Sequence, residues 1–245
     1  VIDEAVQSLL DGFVTSVRRI ADVDAIWLHG SLALGDFQPG RSDLDVVAVV
    51  SSPPPLAVAD LHRRLMAASP LASKLHCSYM LASELSDPAV RHPTFAQERY
   101  FERPVTPVTR RELALGNRSL YGPPPASLLP ATSDAELFAF IRADLAEFWL
   151  PVTARRKPWY ADIWVDLGLV TVARAHVTLS SGDLITKRAA LGLLPGMGAP
   201  ESVVRDVARR RYGPAGVVNP FWRQRRAVLT RVFLQAAIPA VISSP

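Results

Sequence analysis

Asp43 and Asp45 stand two residues apart at the mouth of a continuous β-branched run, Leu44–Val50 (LDVVAVV). On a strand, positions i and i+2 point to the same side, so both carboxylates share one face. Like charges that close repel, and such a pair either shifts its proton affinity or holds a cation. Hard oxygen ligands on a rigid strand suit Mg²⁺, an ion that usually also binds substrate phosphates. Upstream lies Leu28-His29-Gly30-Ser31, and eleven residues separate Ser31 from Asp43. Glycine lets backbone approach a phosphate closely, and Ser31 adds a hydroxyl and an N–H donor. Ser42, beside the first carboxylate, offers another hydroxyl. The chemistry these residues could do is phosphate chemistry at a metal ion.

Such residues need strands to hold them. Ala25–Leu28 reads as a short strand and Gly30–Ser42 as the loop after it. Leu44–Val50 has the length and composition of a buried strand. Leu75–Ala82 reads as a third strand, with Leu75, Cys77 and Tyr79 on one face and His76, Ser78 and Met80 on the other. Apolar spacing predicts helices over 4–20, 58–68 and 108–116, and a short strand is expected near Leu120. Ser83–Pro107, with mixed charge and four prolines, follows no clear period. Pro123–Pro130 (PPPASLLP) suits neither helix nor sheet and marks a boundary. Ser133 and Glu136 then form a capping box. From there the pattern is helical, over 134–149, 159–180, 184–193, 200–212 and 221–240. The expected organisation is an N-terminal α/β unit over 1–122, a linker over 123–130 and a helical bundle over 131–245.

Composition bounds the partners. The chain has 245 residues, 49% of them hydrophobic, with a net charge of +4. Mean hydropathy is high, at +0.16, yet no continuous apolar run reaches the ~20 residues of a membrane span. A membrane partner is therefore not expected, no signal segment is read at the start, and a cytoplasmic location is the default. The single cysteine, Cys77, excludes an internal disulfide and a cysteine zinc site. Of the 27 cationic residues only Lys74, Lys157 and Lys187 are lysine. Arginine forks suit a polyanionic ligand, but no Lys/Arg block marks a nucleic-acid tail. His62, His92 and His176 lack metal-ligand spacing, and His29 reads as strand packing.

The hydrophobic-Gly-Ser, the spacer and the Asp-hydrophobic-Asp together resemble the signature of the DNA polymerase β-type nucleotidyltransferase superfamily. The second half is also similar to the helical domain of streptomycin/spectinomycin adenylyltransferases. There an Arg-bearing helix runs into a TL-S-[ST]-G turn, and a Lys opens the next helix, which ends in L-P. Here those positions are Arg174, Thr178-Leu179-Ser180-Ser181-Gly182, Lys187 and Leu194-Pro195. The resemblance implies an α+β fold: a nucleotidyltransferase domain with a small mixed sheet and flanking helices, then an α-helical bundle. It implies ATP as co-substrate and Mg²⁺ on Asp43 and Asp45. Gly30, Ser31 and Ser42 would hold phosphate oxygens, and Arg174 and Lys187 the triphosphate across an interdomain cleft. The implied activity is transfer of AMP to a hydroxyl of a small molecule, in the manner of an antibiotic-resistance enzyme acting on an aminoglycoside, by a monomer.

Two departures from the family pattern stand out. The family places a third carboxylate on the third strand, as base; here the matching pair is Leu75-His76, and no acid lies between Lys74 and Ser83. Three readings follow. His76 is itself the base, since an imidazole with a pKa of about 6.5 suits proton removal near neutrality. Or a carboxylate from elsewhere (Glu84, Asp87, Glu98 or Glu102) fills the role. Or the chain is a degenerate nucleotidyltransferase that binds nucleotide without efficient turnover. The acceptor pocket is the second departure. Asp162 and Asp166, one turn apart beside Trp159, Tyr160 and Trp164, form a candidate cation-binding patch. The family's acidic position in that helix falls at Trp164. A protein-directed adenylyltransferase is a further alternative, although such chains are shorter and lack the helical half.

Overall fold

The structure, a computed structural model, describes residues 3–54, 56–214 and 219–244. The chain divides into two compact units, Val1–Thr132 and Ser133–Pro245.

In the first unit a six-stranded sheet runs in the order β5-β4-β3-β2-β1-β6. Its strands are β1 (Val23–His29), β2 (Leu44–Val50), β3 (Leu75–Leu81), β4 (Arg91–Ala96), β5 (Arg99–Pro104) and β6 (Arg118–Tyr121). β2 and β3 are parallel and every other pair is antiparallel. Helix α1 (Glu4–Val17) is capped by Asp3, which accepts from the Ala5 amide at 2.9 Å. The buried α1 residues Leu10 and Phe13 join Ile26, Leu28, Val46, Ala48, Cys77 and Tyr79 in one core. Helix α3 (Ala57–Ala68) adds Val58 and Leu61 to it. The alternate residues Ala25, Trp27, Val47, Val49 and Met80 build a second core with Leu113 of α4 (Pro107–Gly116). β2 is buried on both faces, so its sequence runs without alternation.

The second face continues to the strand ends. His29 pairs in register with Asp45, and Asp45 with His76. Period-two geometry thus sets an imidazole, a carboxylate and an imidazole in one row across three strands.

One expectation for this unit changes. Residues 83–107 contain the β4–β5 hairpin. The Pro-rich segment 123–130 falls within the first unit and packs against it. The Trp27 indole N–H donates to the Pro123 carbonyl at 2.8 Å, Leu129 is buried in the second core, and α5 (Pro125–Leu128) lies between them.

Buried histidine makes this unit sensitive to acid. His62 of α3 stacks on Phe95, with centroids 4.1 Å apart, and bonds the Tyr79 hydroxyl at 2.9 Å. Burial, with a smaller contribution from His76, lowers its pKa from 6.5 to about 4. Between those values the unfolded chain binds a proton that the folded chain refuses. Stability is therefore complete above about pH 6.5 and falls towards pH 4, by roughly 3 kcal/mol from this residue. Urea midpoints from pH 7 to pH 4.5 will show the fall, and a His62→Gln variant will show a shallower one.

The second unit contains α6 (Asp134–Ala143), α7 (Leu150–Ala154), α8 (Asp162–Ser181), α9 (Lys187–Leu193), α10 (Glu201–Tyr212) and α11 (Pro220–Ile242). Both halves of the Ser133–Glu136 capping box form. The helix expected over 134–149 widens to a π-helical turn at Asp144–Trp149, ahead of Pro151 in α7. Proline has no N–H to donate and crowds the carbonyl four residues back, which favours such widening. α8 is long and apolar enough to cross a membrane by length and composition, contrary to the sequence expectation. With 56% of that window buried, it is the core helix of the bundle. Gly168 lets it pack: an added Cβ would lie 2.9 Å from Leu234 of α11 and from Trp159.

Candidate active site

β1 ends at His29, and Gly30, at φ +67°, turns the chain into the single-turn helix α2 (Gly30–Ala33). A Cβ on Gly30 would lie 2.5 Å from Asp45 Oδ2, so the Gly-Ser backbone rests directly against the second carboxylate. The Asp36 amide donates to the Ser31 carbonyl at 2.8 Å and folds the loop back.

Ser42 also holds the loop together. It is buried; its amide donates to the Gln38 carbonyl at 2.9 Å and its Oγ accepts from the Gln38 amide at 3.0 Å. The hydroxyl shapes the loop that delivers Asp43 to β2.

Asp43 and Asp45 remain open to solvent, with side chains 42% and 27% exposed. Lys74 Nζ lies 3.5 Å from Asp43 Oδ1. The His76 ring reaches both acids, with Nδ1 3.6 Å from Asp45 Oδ1 and Nε2 3.9 Å from Asp43 Oδ1. The Gln97 amide also donates to His76 Nε2, at 3.3 Å.

On the other flank His29 Nδ1 lies 3.5 Å from Glu112 Oε2 of α4, both side chains being buried. Glu112 escaped the sequence reading. It is one charge in a short Arg-Arg-Glu helix, and only the packing of α4 against β1 turns it inward.

β3 itself carries no acid at the place of the family's third carboxylate. Glu84 and Asp87 follow the opposite end of that strand, roughly 20 Å from His76 by strand rise. There Glu84 lies 3.7 Å from His92, and Asp87 accepts from the Ala89 amide at 2.8 Å. Glu102 is exposed on β5, and Glu98 is exposed in the β4–β5 turn next to Gln97. Among the described residues no group of three or more His, Cys, Asp or Glu could by itself hold a metal. Two carboxylates on one strand end, beside a backbone cradle, fit a Mg²⁺ that takes its remaining ligands from water and nucleotide phosphates. Cys77 is no rival nucleophile: burial pushes its thiol up to about 12.

In the second unit Arg174 of α8 donates through Nε to the Ile185 carbonyl at 2.9 Å. Gly182, at φ +78°, ends α8, and Thr186 caps α9 by accepting from the Ala189 amide at 3.1 Å. Arg174 therefore braces the turn that leads into Lys187, and the two cations belong to one helix–turn–helix element.

Each acid of the expected patch has an arginine partner. Asp166 is bonded to Arg210, and Asp162 to Arg226 at 2.5 Å. Asp166 is buried, whereas the Asp162 side chain stays 40% exposed. Trp164 packs among Trp149, Trp159 and Phe148, with centroids 6.1, 6.4 and 6.2 Å away.

Residues 10–102, from α1 through most of β5, match the family described as Nucleotidyltransferase domain. The similarity to that family thus lies within the first unit. Over a wider span the structure is similar to spectinomycin adenyltransferase AAD(9) from Enterococcus faecialis, solved with ATP and spectinomycin. The TM-score is 0.68 over 92% of this chain and 98% of that one, at 15% sequence identity. At that identity the likeness is one of fold. No curated protein matches the chain by sequence.

Proposed function

We propose that the protein transfers AMP from ATP to a hydroxyl of a small molecule of the aminoglycoside class, releasing pyrophosphate. The observation that carries this reading is the Asp43/Asp45 pair set under the Gly30 backbone of a nucleotidyltransferase domain. The fold neighbour, which holds ATP and spectinomycin, supports the choice of donor and acceptor class.

Asp43 and Asp45 would hold Mg²⁺, which when bound supplies charge neutralisation at the phosphates. The Gly30 and Ser31 backbone would hold phosphate oxygens, and Arg174 and Lys187 would bind the β- and γ-phosphates as charge-assisted donors. The acceptor oxygen forms the new bond to the α-phosphorus, the bond to pyrophosphate breaks, and the hydroxyl proton passes to solvent water. Positioning and electrostatics do most of the work in such a transfer. ATP and Mg²⁺ are cytoplasmic supplies, and the proposed setting is the cytoplasm.

A second reading has its own observation. The His76 ring and Lys74 crowd the two acids where the family has a further acid. On that reading the chain binds nucleotide without efficient turnover.

Calorimetric titration of ATP, with and without Mg²⁺, tests both. Wild type will bind with a marked Mg²⁺ dependence, and the Asp43→Ala/Asp45→Ala variant will lose that dependence. A screen of aminoglycosides for pyrophosphate release follows. Binding with release supports transfer, binding without release against any acceptor favours the second reading, and absence of binding refutes both.

A further inference from the structure

The ring that occupies the third-carboxylate position is fixed from two sides. The Gln97 amide donates to His76 Nε2 at 3.3 Å. An imidazole nitrogen that accepts a hydrogen bond carries no proton, and in a neutral ring the proton then sits on the other nitrogen. That nitrogen, Nδ1, faces Asp45 Oδ1 at 3.6 Å. The His76 side chain is only 9% exposed. Nε2 is thus engaged by backbone, with Asp43 Oδ1 farther off at 3.9 Å.

The turn that aims the Gln97 amide is an unusual one. Gln97 and Glu98 adopt φ +51° and +60°. These are the two central residues of the β4–β5 connection, a place where Asn-Gly or Asp-Gly is the easy choice. Left-handed backbone costs a residue with a side chain about 1–2 kcal/mol. The surrounding ladder, continuous from Arg91↔Pro104 to Ala96↔Arg99, holds the turn in place. A backbone donor delivered this way stays whatever side chains the turn carries.

We propose that His76 is a positioning residue, not the proton acceptor: its Nδ1–H side, set by the Gln97 amide, orients Asp45 beneath Gly30. This rests on the nucleotidyltransfer reading above. It assigns His76 the role of a polar neighbour, 3.6 Å from the carboxylate, which fixes the ligand's direction.

Amide substitutions separate the two roles. The amide nitrogen of asparagine falls near the place of Nδ1 and can still donate to Asp45, whereas glutamine reaches the place of Nε2. With Mn²⁺ and a non-transferable ATP analogue, His76→Ala and His76→Gln will weaken Mn²⁺ affinity about tenfold or more, and His76→Asn will stay within about threefold of wild type. In turnover His76→Asn will retain kcat within about tenfold of wild type, and His76→Ala will not. The ring nitrogens of ¹⁵N-labelled wild type, observed without nucleotide, will report the proton on Nδ1.

A proton found on Nε2 overturns the inference. So does Mn²⁺ affinity unchanged in His76→Ala, or His76→Asn as inactive as His76→Ala with wild-type affinity, the pattern of a lost base. Failure of the wild type itself to bind Mn²⁺ with nucleotide refutes the nucleotidyltransfer reading, and this inference with it.

Discussion

Alanine at position 30 will lower kcat/KM for pyrophosphate release by about a hundredfold or more, because reacting groups moved by ~1 Å lose that much. The displaced group is Asp45. A Cβ at position 30 would lie 2.5 Å from its Oδ2, and either the carboxylate or the Gly-Ser backbone must give way. Either shift separates the phosphate cradle from the metal-binding acid. A second effect comes with it, since φ +67° at Gly30 is a conformation that a side chain disfavours by about 1 kcal/mol or more. Gly35 separates the two. It has φ +75°, but nothing lies within 4 Å of an added Cβ. Gly35→Ala will therefore lower the thermal midpoint by a few degrees and leave turnover within a few fold of wild type. Gly30→Ala will lose turnover and Mg²⁺-dependent ATP binding together. Equal losses in both variants would place the effect in loop strain and remove Asp45 from the explanation.

Local chemistry made that site legible. Gly30, Asp43 and Asp45 declare themselves through spacing and strand period, and the unbroken β-branched run of β2 announces a strand buried on both faces. The turn between Arg174 and Lys187 is equally local, with a glycine stop and a threonine start within five residues. What stayed hidden depends on distant partners. The β4–β5 hairpin carries Pro93 and Pro104 inside its strands and Gln97-Glu98 at its turn, all residues that argue against a hairpin until the ladder forms. Ser42 has the right chemistry for a phosphate, and only the fold shows that its Oγ also accepts from the Gln38 amide. Asp162 and Asp166 share a helix face, as their spacing requires. Nothing near them in sequence shows that Arg226 and Arg210, 64 and 44 residues on, will cover them.

Those arginines make Asp206 of α10 the residue whose loss will most destabilise the second unit. Arg226 is fully buried, and its guanidinium donates to Asp206 Oδ2 at 2.9 Å and to Asp162 Oδ1 at 2.5 Å. Arg210 bridges Asp206 and Asp166. The two bridged acids respond in opposite directions. Burial pushes Asp166 up, more than its bond to Arg210 pulls it down. Burial opposes ionisation of Asp206 too, but the bonds from Arg226 and Arg210 outweigh it and hold that carboxyl below its usual value. Asp206 is thus the anion shared by three guanidiniums, since Arg209 also donates to its Oδ1 at 3.2 Å. Asp206→Ala leaves Arg226 buried with only part of its charge answered, and breaking a buried pair in this way costs about 3–5 kcal/mol. Urea unfolding followed by far-UV circular dichroism will show a loss of that size. Pairing the change with Arg226→Met will recover part of it, because the double variant removes the uncompensated charge as well and the two effects will fail to add by 1 kcal/mol or more. A loss below about 1 kcal/mol in the single variant would mean that water reaches the guanidiniums and that the network is worth no more than a surface pair.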